Sequence, residues 1–440
     1  MSQILKIGQI VETEASRTKC QLEELLGGGT QGEVYRINFN GSPMALKWYF
    51  PQWIEQDIRQ RERLEKAIEF GPPNDRFLWP VDLASAHNIP GYGYIMPLRE
   101  SRFKGIVDLM KRKVEPTFRA LATAGFELAN SYLQLHSRGL CYRDISFGNV
   151  FFDPKTGEVR ICDNDNVDVD GIPGSVDGTP RFMAPEIVRG DASPSTQTDL
   201  FSLAILLFYM LMVHHPLEGA KEQAIHCFDL PAMKKLYGTE PVFIFDPDDI
   251  SNCPIPGEQD NALAFWPIYP KFLQELFIKA FTEGIRDPQN GRVREGEWRT
   301  AMIRLRDFII YCPHCGSENF YDRDILKTSG KLNPCWSCDK QIQVPPRIRI
   351  GNSIVMLNHD TQLFPYHLEN QGKYDFSRPV AAVNQNPKNP SIWGLKNLSG
   401  EKWVTTNADG QVKEVEPGRS TSIALGTKIN FGKAEGEFRT

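Results

Sequence analysis

The fold of this chain is decided by two short stretches, Tyr142-Arg143-Asp144-Ile145-Ser146-Phe147-Gly148-Asn149 and Cys162-Asp163-Asn164-Asp165. Between them, apolar runs at residues 150–152 and 159–161 predict a short β-hairpin. One carboxylate, Asp144, can orient an attacking hydroxyl group, while Asn149 and Asp163 can bind Mg²⁺ through oxygen atoms. These side chains are the set that phosphoryl transfer from ATP requires.

A glycine-rich segment lies nearer the amino terminus, within predicted β-structure at residues 22–49. Its sequence, Gly27-Gly28-Gly29-Thr30-Gln31-Gly32-Glu33-Val34, fits the pattern GxGxxGxV, and Lys47 follows Val34 by thirteen positions. Glycines allow a hairpin backbone to lie against phosphate groups, and a lysine on the next strand supplies a positive charge to them. The glycine pattern alone also fits an ordinary tight hairpin, so the inference depends on Lys47 and the downstream loop.

Taken together, these motifs resemble those of eukaryotic-like serine/threonine protein kinases, and the resemblance covers about residues 20–310. It implies an α+β fold in which residues 1–310 form a bilobal kinase domain, with an N-lobe at about residues 18–97 and a C-lobe at about residues 98–310. It also implies that Asp144 is catalytic and that Asn149 and Asp163 bind Mg²⁺. The residues it assigns to ATP binding are Gly27, Gly28, Gly29, Gly32, Val34, Lys47, Met96 and Leu98.

The resemblance also implies a carboxylate partner for Lys47, because a buried ammonium group without a partner is costly. Residues 55–70 have a helical pattern with a partial apolar stripe. We expect Glu62 of this helix to pair with Lys47, with Glu65 as the alternative. The residues of the stripe are Ile54, Ile58, Leu64 and Ile68.

Three positions depart from the family pattern. Tyr142 replaces a histidine that is mainly structural, and Ser146 replaces a lysine that contacts the transferred phosphate. The usual DFG triplet is Asp163-Asn164-Asp165 here, which keeps the metal-binding aspartate and loses the glycine. The second carboxylate, Asp165, could increase the affinity for divalent cations or make the turn rigid. These departures leave a nucleotide-binding pseudokinase scaffold as the alternative to an active kinase.

Residues 178–186, with the sequence GTPRFMAPE, resemble the segment that holds the acceptor peptide in the serine/threonine branch. Serine and threonine hydroxyl groups of protein substrates, including this chain, are therefore the expected acceptors. Ser175 and Thr179 are candidate phosphorylation sites, where a phosphate could pair with Arg143, although both also fit ordinary turn hydroxyls.

Two further residues are expected to support the C-lobe. Asp199 resembles the aspartate that begins the buried central helix and holds the catalytic loop, and it also fits a helix N-cap. Arg292 is expected to form a buried ion pair with Glu186. Residues 120–136 and 203–213 are predicted to be helical.

Four cysteines at residues 311–345 have the spacing C-x2-C-x19-C-x2-C, which is typical of a structural zinc ribbon. With four thiolates the coordination of Zn²⁺ is complete, so a catalytic zinc is not expected. Basic residues nearby are not clustered, so a spacer or docking module is favoured over a nucleic-acid binder. The four predicted ligands are Cys312, Cys315, Cys335 and Cys338.

Residues 346–440 have β composition and resemble the second half of a forkhead-associated β-sandwich. The Gly-Arg and Ser-x-x-His elements that would bind phosphothreonine are not found early in this region, and Gly418-Arg419-Ser420 is predicted to be a turn. Protein docking is therefore the favoured role of this domain, and phosphopeptide binding is the minority hypothesis.

The bulk properties exclude several classes of protein. The formal net charge of −5 gives no general attraction to nucleic acid or anionic membranes. Residues 1–16 do not resemble a signal peptide, and the apolar run at 203–213 is too short to cross a bilayer. Nine cysteines, with four in CxxC pairs, favour a reducing compartment. A cytoplasmic location without membrane contact is therefore expected.

A narrower resemblance is to bacterial kinases of tellurite-resistance or stress operons, on the basis of YRDIS-x-GN, DND, the zinc ribbon and the β domain together. That resemblance implies a cognate phosphatase and a von Willebrand A-type protein as partners.

Overall fold

The structure is a computed structural model that describes residues 4–172, 176–369 and 374–439. The chain divides into two compact units. Unit 1 comprises Met1–Trp266 and Gln274–Thr300, and unit 2 comprises Pro267–Leu273 and Ala301–Thr440. No helix of the described ranges combines the length and apolarity needed to span a membrane.

The amino-terminal part of unit 1 is a closed six-stranded barrel in which each strand runs antiparallel to its neighbours. Its interior is filled by apolar side chains that alternate along the strands, among them Leu22, Ile37 and Trp48. The elements are β1 Ile10–Thr13, β2 Lys19–Gly28, β3 Gly32–Phe39, β4 Ser42–Tyr49, α1 Pro51–Gln56, α2 Gln60–Phe70, β5 Asp82–Ala86 and β6 Ile89–Pro97.

The helical pattern at residues 55–70 is two helices rather than one, because α1 ends before Asp57 and α2 begins at Gln60. The predicted apolar stripe is also incorrect, since Ile58 is 86% exposed. The buried positions of α2 are Gln60, Arg63, Leu64 and Ala67, which is one helical face. Two of these four side chains are polar, so hydrophobic periodicity could not identify the inward face.

The rest of unit 1 is mainly helical. Helix α4 and the almost fully buried α6 agree with the helices predicted at residues 120–136 and 203–213. The elements that continue the chain are β7 Lys104–Gly105, α3 Ile106–Met110, α4 Phe118–His136, β8 Leu140–Cys141, β9 Val150–Phe152, β10 Val159–Ile161, β11 Asp168–Val169, α5 Pro185–Arg189, α6 Thr196–Met212, α7 Ala220–Gln223, α8 Leu230–Lys234, α9 Asp260–Phe265, α10 Lys271–Phe281, α11 Glu283–Arg286 and α12 Glu295–Asp307.

Unit 2 contains a two-stranded sheet, a six-stranded sheet and a four-stranded sheet. The six- and four-stranded sheets share one hydrophobic core that includes Ile348, Leu395 and Trp403, which is the arrangement of a β-sandwich. The elements are β12 Ile309–Tyr311, β13 Glu318–Phe320, α13 Arg323–Ser329, β14 Arg347–Ile350, β15 Ser353–Met356, β16 Gln362–Leu363, α14 Pro365–Leu368, β17 Ala381–Asn386, β18 Asn389–Asn397, β19 Trp403–Thr406, β20 Val412–Val415, β21 Ser420–Ser422, β22 Lys428–Asn430 and β23 Glu435–Arg439.

The segment Gly418-Arg419-Ser420 is the predicted turn. Gly418 has a φ of 79°, and the Arg419 N–H donates to the Glu416 carbonyl at 3.0 Å. Strand β21 then begins at Ser420. Arg419 is therefore part of a turn that connects two strands of the sandwich.

Candidate active site

Asp144 lies in the loop between β8 and β9, where its carboxylate accepts a hydroxyl group. Thr179 Oγ1 donates to Asp144 Oδ1 at 2.7 Å. Asn149 Nδ2 donates to the other carboxylate oxygen of Asp144 at 3.0 Å and to its carbonyl at 2.9 Å. One Asp144 oxygen is thus used to fix the loop, and the other is placed where a hydroxyl group binds.

The hairpin of β9 and β10 brings Asn149 next to Asp163. Val150 is opposite Ile161 in the antiparallel ladder, and the Cys162 N–H donates to the Asn149 carbonyl at 2.8 Å. Asp163 follows in the left-handed conformation, with a φ of 49°, which is uncommon for a residue other than glycine. The Asp163 side chain is 39% exposed, so its carboxylate faces accessible space beside the amide of Asn149.

The side chain of Lys47, on β4, contacts both Asp163 and Asp165. Its Nζ atom lies 2.9 Å and 3.2 Å from the two carboxylate oxygens of Asp165 and 3.3 Å from Asp163 Oδ1. It also donates to Gln31 Oε1 at 2.6 Å. Burial of Lys47 disfavours its charged form, but the carboxylates of Asp165 and Asp163 outweigh this effect and raise its pKa.

The structure gives Lys47 a different partner from the predicted Glu62. Glu62 is 54% exposed on the outer face of α2, where it bonds to Lys66 at 2.7 Å, and the alternative Glu65 bonds to Arg61 at 3.1 Å. The physical reason is the rotation of the helix, because the face that includes Gln60 is buried and Glu62 lies two positions further on.

The glycine-rich hairpin covers this group of side chains. Strands β2 and β3 pair up to Gly28 and Glu33, so the tip is formed by residues 29–31. Gln31 at the tip bonds to Lys47 and also donates to Asn166 Oδ1 at 3.3 Å. Gly27 has a φ of 157°, and a Cβ atom at Gly27 or Gly29 would meet no atom within 4 Å, so this backbone borders open space.

An apolar cluster lies at one side of the barrel, next to the hairpin. The predicted ATP-binding residues Val34, Met96 and Leu98 all contact it, and Ala45 is one of its buried members. The planar adenine group of ATP requires such an apolar surface, and all three predicted residues belong to this one cluster or pack against it.

Asp199 fixes the loop that contains Asp144 through two backbone hydrogen bonds. Asp199 Oδ1 accepts the Arg143 N–H at 2.9 Å, and Asp199 Oδ2 accepts the Tyr142 N–H at 2.5 Å. Its role in holding the loop is confirmed, whereas the N-cap of α6 is Ser195. His136 contacts both Asp199 and Glu295. The hydroxyl of Tyr142, which is fully buried, donates to the Cys162 carbonyl, so this replacement of histidine ties the two loops together.

Arg143 contacts the segment that follows Asp163-Asn164-Asp165. Its Nη2 atom donates to the Ile172 carbonyl at 2.6 Å and lies 3.3 Å from Asp168 Oδ2. The candidate phosphorylation site Ser175 lies outside the described residues, and the hydroxyl of Thr179 is bonded to Asp144. The predicted ion pair between Arg292 and Glu186 is present at 2.7 Å.

In unit 2 the four predicted zinc ligands converge. Their Sγ atoms all lie within 4.8 Å of one another. The separations are 3.7 Å between Cys312 and Cys338 and 3.6 Å between Cys315 and Cys335. Tetrahedral zinc with Zn–S bonds of about 2.3 Å requires sulfurs about 3.8 Å apart, so the four thiols fit the ion.

The donor set of unit 1 likewise fits Mg·ATP. Asn149 and the half-exposed Asp163 offer oxygen atoms, which Mg²⁺ prefers over nitrogen and sulfur. The Asn149 amide nitrogen is engaged with Asp144, so its amide oxygen is the atom that would bind a cation. Lys47 and the open backbone of Gly27 and Gly29 supply a positive charge and room for phosphate groups.

Sequence reasoning did not identify the carboxylate that binds Lys47 or the residues that hold this carboxylate. From the sequence, Asp165 is expected to be an extra metal ligand or to make the turn rigid, and no motif marks Tyr49 or Gln60. The available signal was the position of Gln60 at the start of α2, three and four residues before Arg63 and Leu64, but an inward amide is not distinguishable from a solvent-exposed one by spacing alone.

Comparison with known proteins gives the family of this region. The family described as "Protein kinase domain" matches residues 103–254. A "Probable cell cycle serine/threonine-protein kinase CDC5 homolog" of Encephalitozoon cuniculi is 27% identical over 232 residues, which is 50% of this chain and 48% of the relative. "Serine/threonine-protein kinase PknD" of Chlamydia caviae is 27% identical over 239 residues, or 46% of this chain and 25% of the relative.

A third relative, the "Putative protein kinase C delta type homolog" of Drosophila melanogaster, is 33% identical over 114 residues, covering 24% of this chain and 17% of its own length. The chain thus spans less than half the length of these curated relatives. The matched residues 103–254 include Asp144, Asn149 and Asp163, and Lys47 lies outside them. Residues 103–254 therefore match a protein kinase domain, and two of these relatives are named as serine/threonine-protein kinases.

Proposed function

We propose that the protein transfers the γ-phosphoryl group of Mg·ATP to serine and threonine hydroxyl groups of protein substrates, including its own. The observation that carries this proposal is the bond from the Thr179 hydroxyl to Asp144 Oδ1 at 2.7 Å, beside Asn149 and Asp163. A hydroxyl group is seated on the catalytic carboxylate within the cleft that Lys47 and the glycine-rich hairpin complete.

Each residue has a role that follows from its contacts. Asp144 orients the attacking hydroxyl group and accepts its hydrogen bond through the oxygen that Thr179 now uses. Asn149 and Asp163 would hold Mg²⁺, which neutralises phosphate charge when bound. Lys47 would bind the phosphate groups nearest the adenosine. Asp199 fixes the loop by accepting two backbone N–H groups, so Asp144 is positioned before substrate binds.

The replacement of a lysine by Ser146 affects the rate rather than the arrangement. Ser146 is buried, so it leaves no cation at the place where the family has one. Loss of a single donor to the transferring group typically lowers kcat by about 10²-fold or more. We therefore propose that the kinase is slow and that its rate depends more strongly on how other parts of the chain position the substrate.

The proposal is tested by intact-mass spectrometry of the purified chain with and without Mg·ATP, beside Asp144→Asn. We expect mass increments of one or more phosphates in the wild type and none in the variant. Equal increments in both would show that the phosphate does not come from this site. No increment in either, with retained ATP binding, would instead support a nucleotide-binding pseudokinase scaffold.

We also propose that Cys312, Cys315, Cys335 and Cys338 bind one structural Zn²⁺, and that the β-sandwich of unit 2 docks protein partners. The first proposal is supported by the sulfur separations, and four thiolates leave the zinc no open position for chemistry. The second is supported by the sequence of residues 346–440, in which the Gly-Arg and Ser-x-x-His elements that would bind phosphothreonine are not found early. A forkhead-associated relationship, the tellurite-operon type, a phosphatase and a von Willebrand A-type partner, and a cytoplasmic location all stay predictions.

A further inference from the structure

Asp165 stands where kinases that resemble this one have a glycine, and its carboxylate is the main partner of Lys47. Both oxygens lie within hydrogen-bond distance of Lys47 Nζ, at 2.9 Å and 3.2 Å, and the side chain of Asp165 is 0% exposed. The contact with Asp163 is longer, at 3.3 Å, and engages only one oxygen. Because hydrogen bonds between charged groups are stronger at shorter distances, Asp165 dominates the placement of the Lys47 ammonium group.

Asp165 is itself fixed by residues of β4 and α2 and through its neighbour Asn164. The Tyr49 hydroxyl donates to Asp165 Oδ2 at 2.5 Å, and Gln60 Nε2 donates to the same oxygen at 3.4 Å. The preceding residue, Asn164, donates to the carbonyls of Leu78 and Ile161 at 2.8 Å and 3.0 Å. The carboxylate is therefore pre-organised, and with its oxygens turned toward Lys47 and Tyr49 it is not an extra metal ligand.

The helix that was expected to supply a carboxylate supplies an amide instead. Gln60 occupies the buried face of α2 that contacts this site, while Glu62 faces outward and is paired with Lys66. A neutral amide cannot balance the charge of a buried lysine. Asp165 provides that balance, and Gln60 connects the helix to it.

This arrangement also limits the contact of Lys47 with Asp163 to one carboxylate oxygen, Oδ1, at 3.3 Å. If Lys47 had no other partner, its ammonium group would pair with Asp163 alone and compete with Mg²⁺ for that carboxylate. With Asp165 present, the two carboxylates have separate tasks. The fully buried one holds Lys47, and the 39% exposed one remains available to a cation.

From these contacts we infer that Asp165 is the positioning residue for Lys47, in place of a helix glutamate, and that it sets the affinity for the phosphate groups of Mg·ATP. This inference rests on the proposed function. It has a structural consequence, because the placement of Lys47 then depends on the short helix Asn164–Asn166 rather than on a charge carried by α2.

The test is the affinity of the full chain for Mg·ATP, measured by isothermal titration, together with the kinetics of phosphorylation of a generic protein substrate. Asp165→Asn keeps the shape of the side chain and removes its charge. We expect the Kd for Mg·ATP to rise about tenfold, which corresponds to ~1.4 kcal/mol, with a lower kcat and an unchanged KM for the protein substrate. Glu62→Gln makes the same chemical change on the outer face of α2 and should leave Kd and kcat within about twofold of the wild type.

A charge-relocation variant separates positioning from folding. Gln60 Nε2 and Lys47 Nζ both contact Asp165 Oδ2. Gln60→Glu therefore places a carboxylate next to the oxygen that Lys47 contacts. Combined with Asp165→Asn, it should restore Mg·ATP binding to within about threefold. Wild-type affinity in Asp165→Asn would overturn the inference, and so would failure of the double variant to recover binding, whether or not the single variant folds.

These binding measurements do not require phosphoryl transfer. A wild-type chain that gains no phosphate but loses Mg·ATP affinity on Asp165→Asn would disprove the proposed kinase activity and support the positioning role. A chain that transfers phosphate equally well with and without the Asp165 charge would support the proposed kinase activity and disprove the positioning role.

Discussion

Arg292 Nη2 lies 2.7 Å from Glu186 Oε1, and both side chains are almost completely buried, 106 residues apart in the chain. Arg292 also donates to the Gln197 carbonyl at 2.6 Å and to the Gly284 carbonyl at 3.3 Å. It therefore connects α5, which contains Glu186, with the start of α6 and with α11.

Removal of the Arg292 guanidinium should destabilise unit 1 strongly. Arg292→Met leaves Glu186 as an uncompensated buried charge, which typically costs about 3–5 kcal/mol. We expect a loss of this size in the free energy of unfolding, measured by urea denaturation. Adding Glu186→Gln should recover part of the loss, because the stranded charge is then removed. The matched control is Lys66→Met, whose exposed pair with Glu62 should contribute no measurable stability. An equal effect of the two single variants would contradict this prediction.

The stability of unit 1 should fall as the pH rises above neutrality, because of His136. Burial disfavours its charged form, but the carboxylates of Asp199 and Glu295 outweigh burial and raise the pKa to about 9. In the unfolded chain the pKa of histidine is about 6.5. The stabilisation is therefore fully present below about pH 6.5 and is lost as the pH rises through 9, up to about 3 kcal/mol. Unfolding should be measured between pH 6 and pH 9.5.

His136→Gln is the control for this pH dependence. It keeps a hydrogen-bonding group next to Asp199 and cannot gain a proton, so the decline in stability between about pH 6.5 and pH 9 should be smaller than in the wild type. The tyrosine that packs against the ring, Tyr132, is fully buried. Burial raises its pKa well above its usual value, so it keeps its proton throughout this pH range. Identical pH profiles would contradict the assignment to His136.

The structure and the sequence agree where short-range patterns decide the geometry. The hairpin predicted from the apolar runs at 150–152 and 159–161 has those bounds in the structure, as β9 and β10. The first run, Val150 to Phe152, is wholly apolar and lies between Asn149 and Asp153, and the second places Arg160 between the apolar residues Val159 and Ile161. That hairpin alone fixes the relation of Asn149 to Asp163, so the closeness of these two residues in space could be predicted from the sequence. Binding of Mg²⁺ by them stays a prediction.

The partner of Lys47 could not be predicted, because it depends on which face of α2 is buried. Gln60 faces inward and bonds to Asp165, which is far away in the chain. Arg63 also faces inward and bonds to Asp57 in the preceding turn. Hydrophobic periodicity assumes that buried residues are apolar, and this assumption fails where a site is assembled from polar side chains. Glu62 is favoured by its distance from Lys47 in the sequence. This distance contains no information about how α2 is rotated about its axis.

Gly32 and Gly29 should respond differently to substitution, although both belong to the glycine pattern. A Cβ atom at Gly32 would collide with the backbone carbonyl of Trp48 on the paired strand β4, whereas one at Gly29 would meet no atom within 4 Å. Gly32→Ala should therefore separate β3 from β4 and cost about 2 kcal/mol, while Gly29→Ala should not lower the thermal stability. Differential scanning calorimetry measures both, and a Tm of Gly32→Ala equal to that of the wild type would contradict the close packing.

Zinc should be bound at one ion per chain, and its loss should unfold the ribbon of unit 2. Cys312 and Cys335 are buried among Phe308, Ile310 and Tyr321, so an unligated thiolate there would be a buried charge without compensation. Cys335→Ser removes one of four ligands, and we expect elemental analysis to show zinc well below one equivalent, with a lower unfolding temperature for unit 2. The wild type treated with a strong chelator should show the same lowered transition.

Cys227→Ser is the matched control for the zinc site, because Cys227 is an exposed cysteine of unit 1. The protein with this substitution should retain a full equivalent of zinc. The competing outcome is a disulfide, since Cys312 and Cys338 also lie close together. Intact-mass measurement under native and denaturing conditions distinguishes the two. Bound zinc adds its own mass to the native chain only, whereas disulfides leave the denatured chain lighter by two or four hydrogens. Zinc retained in full by Cys335→Ser would show that the ion binds elsewhere.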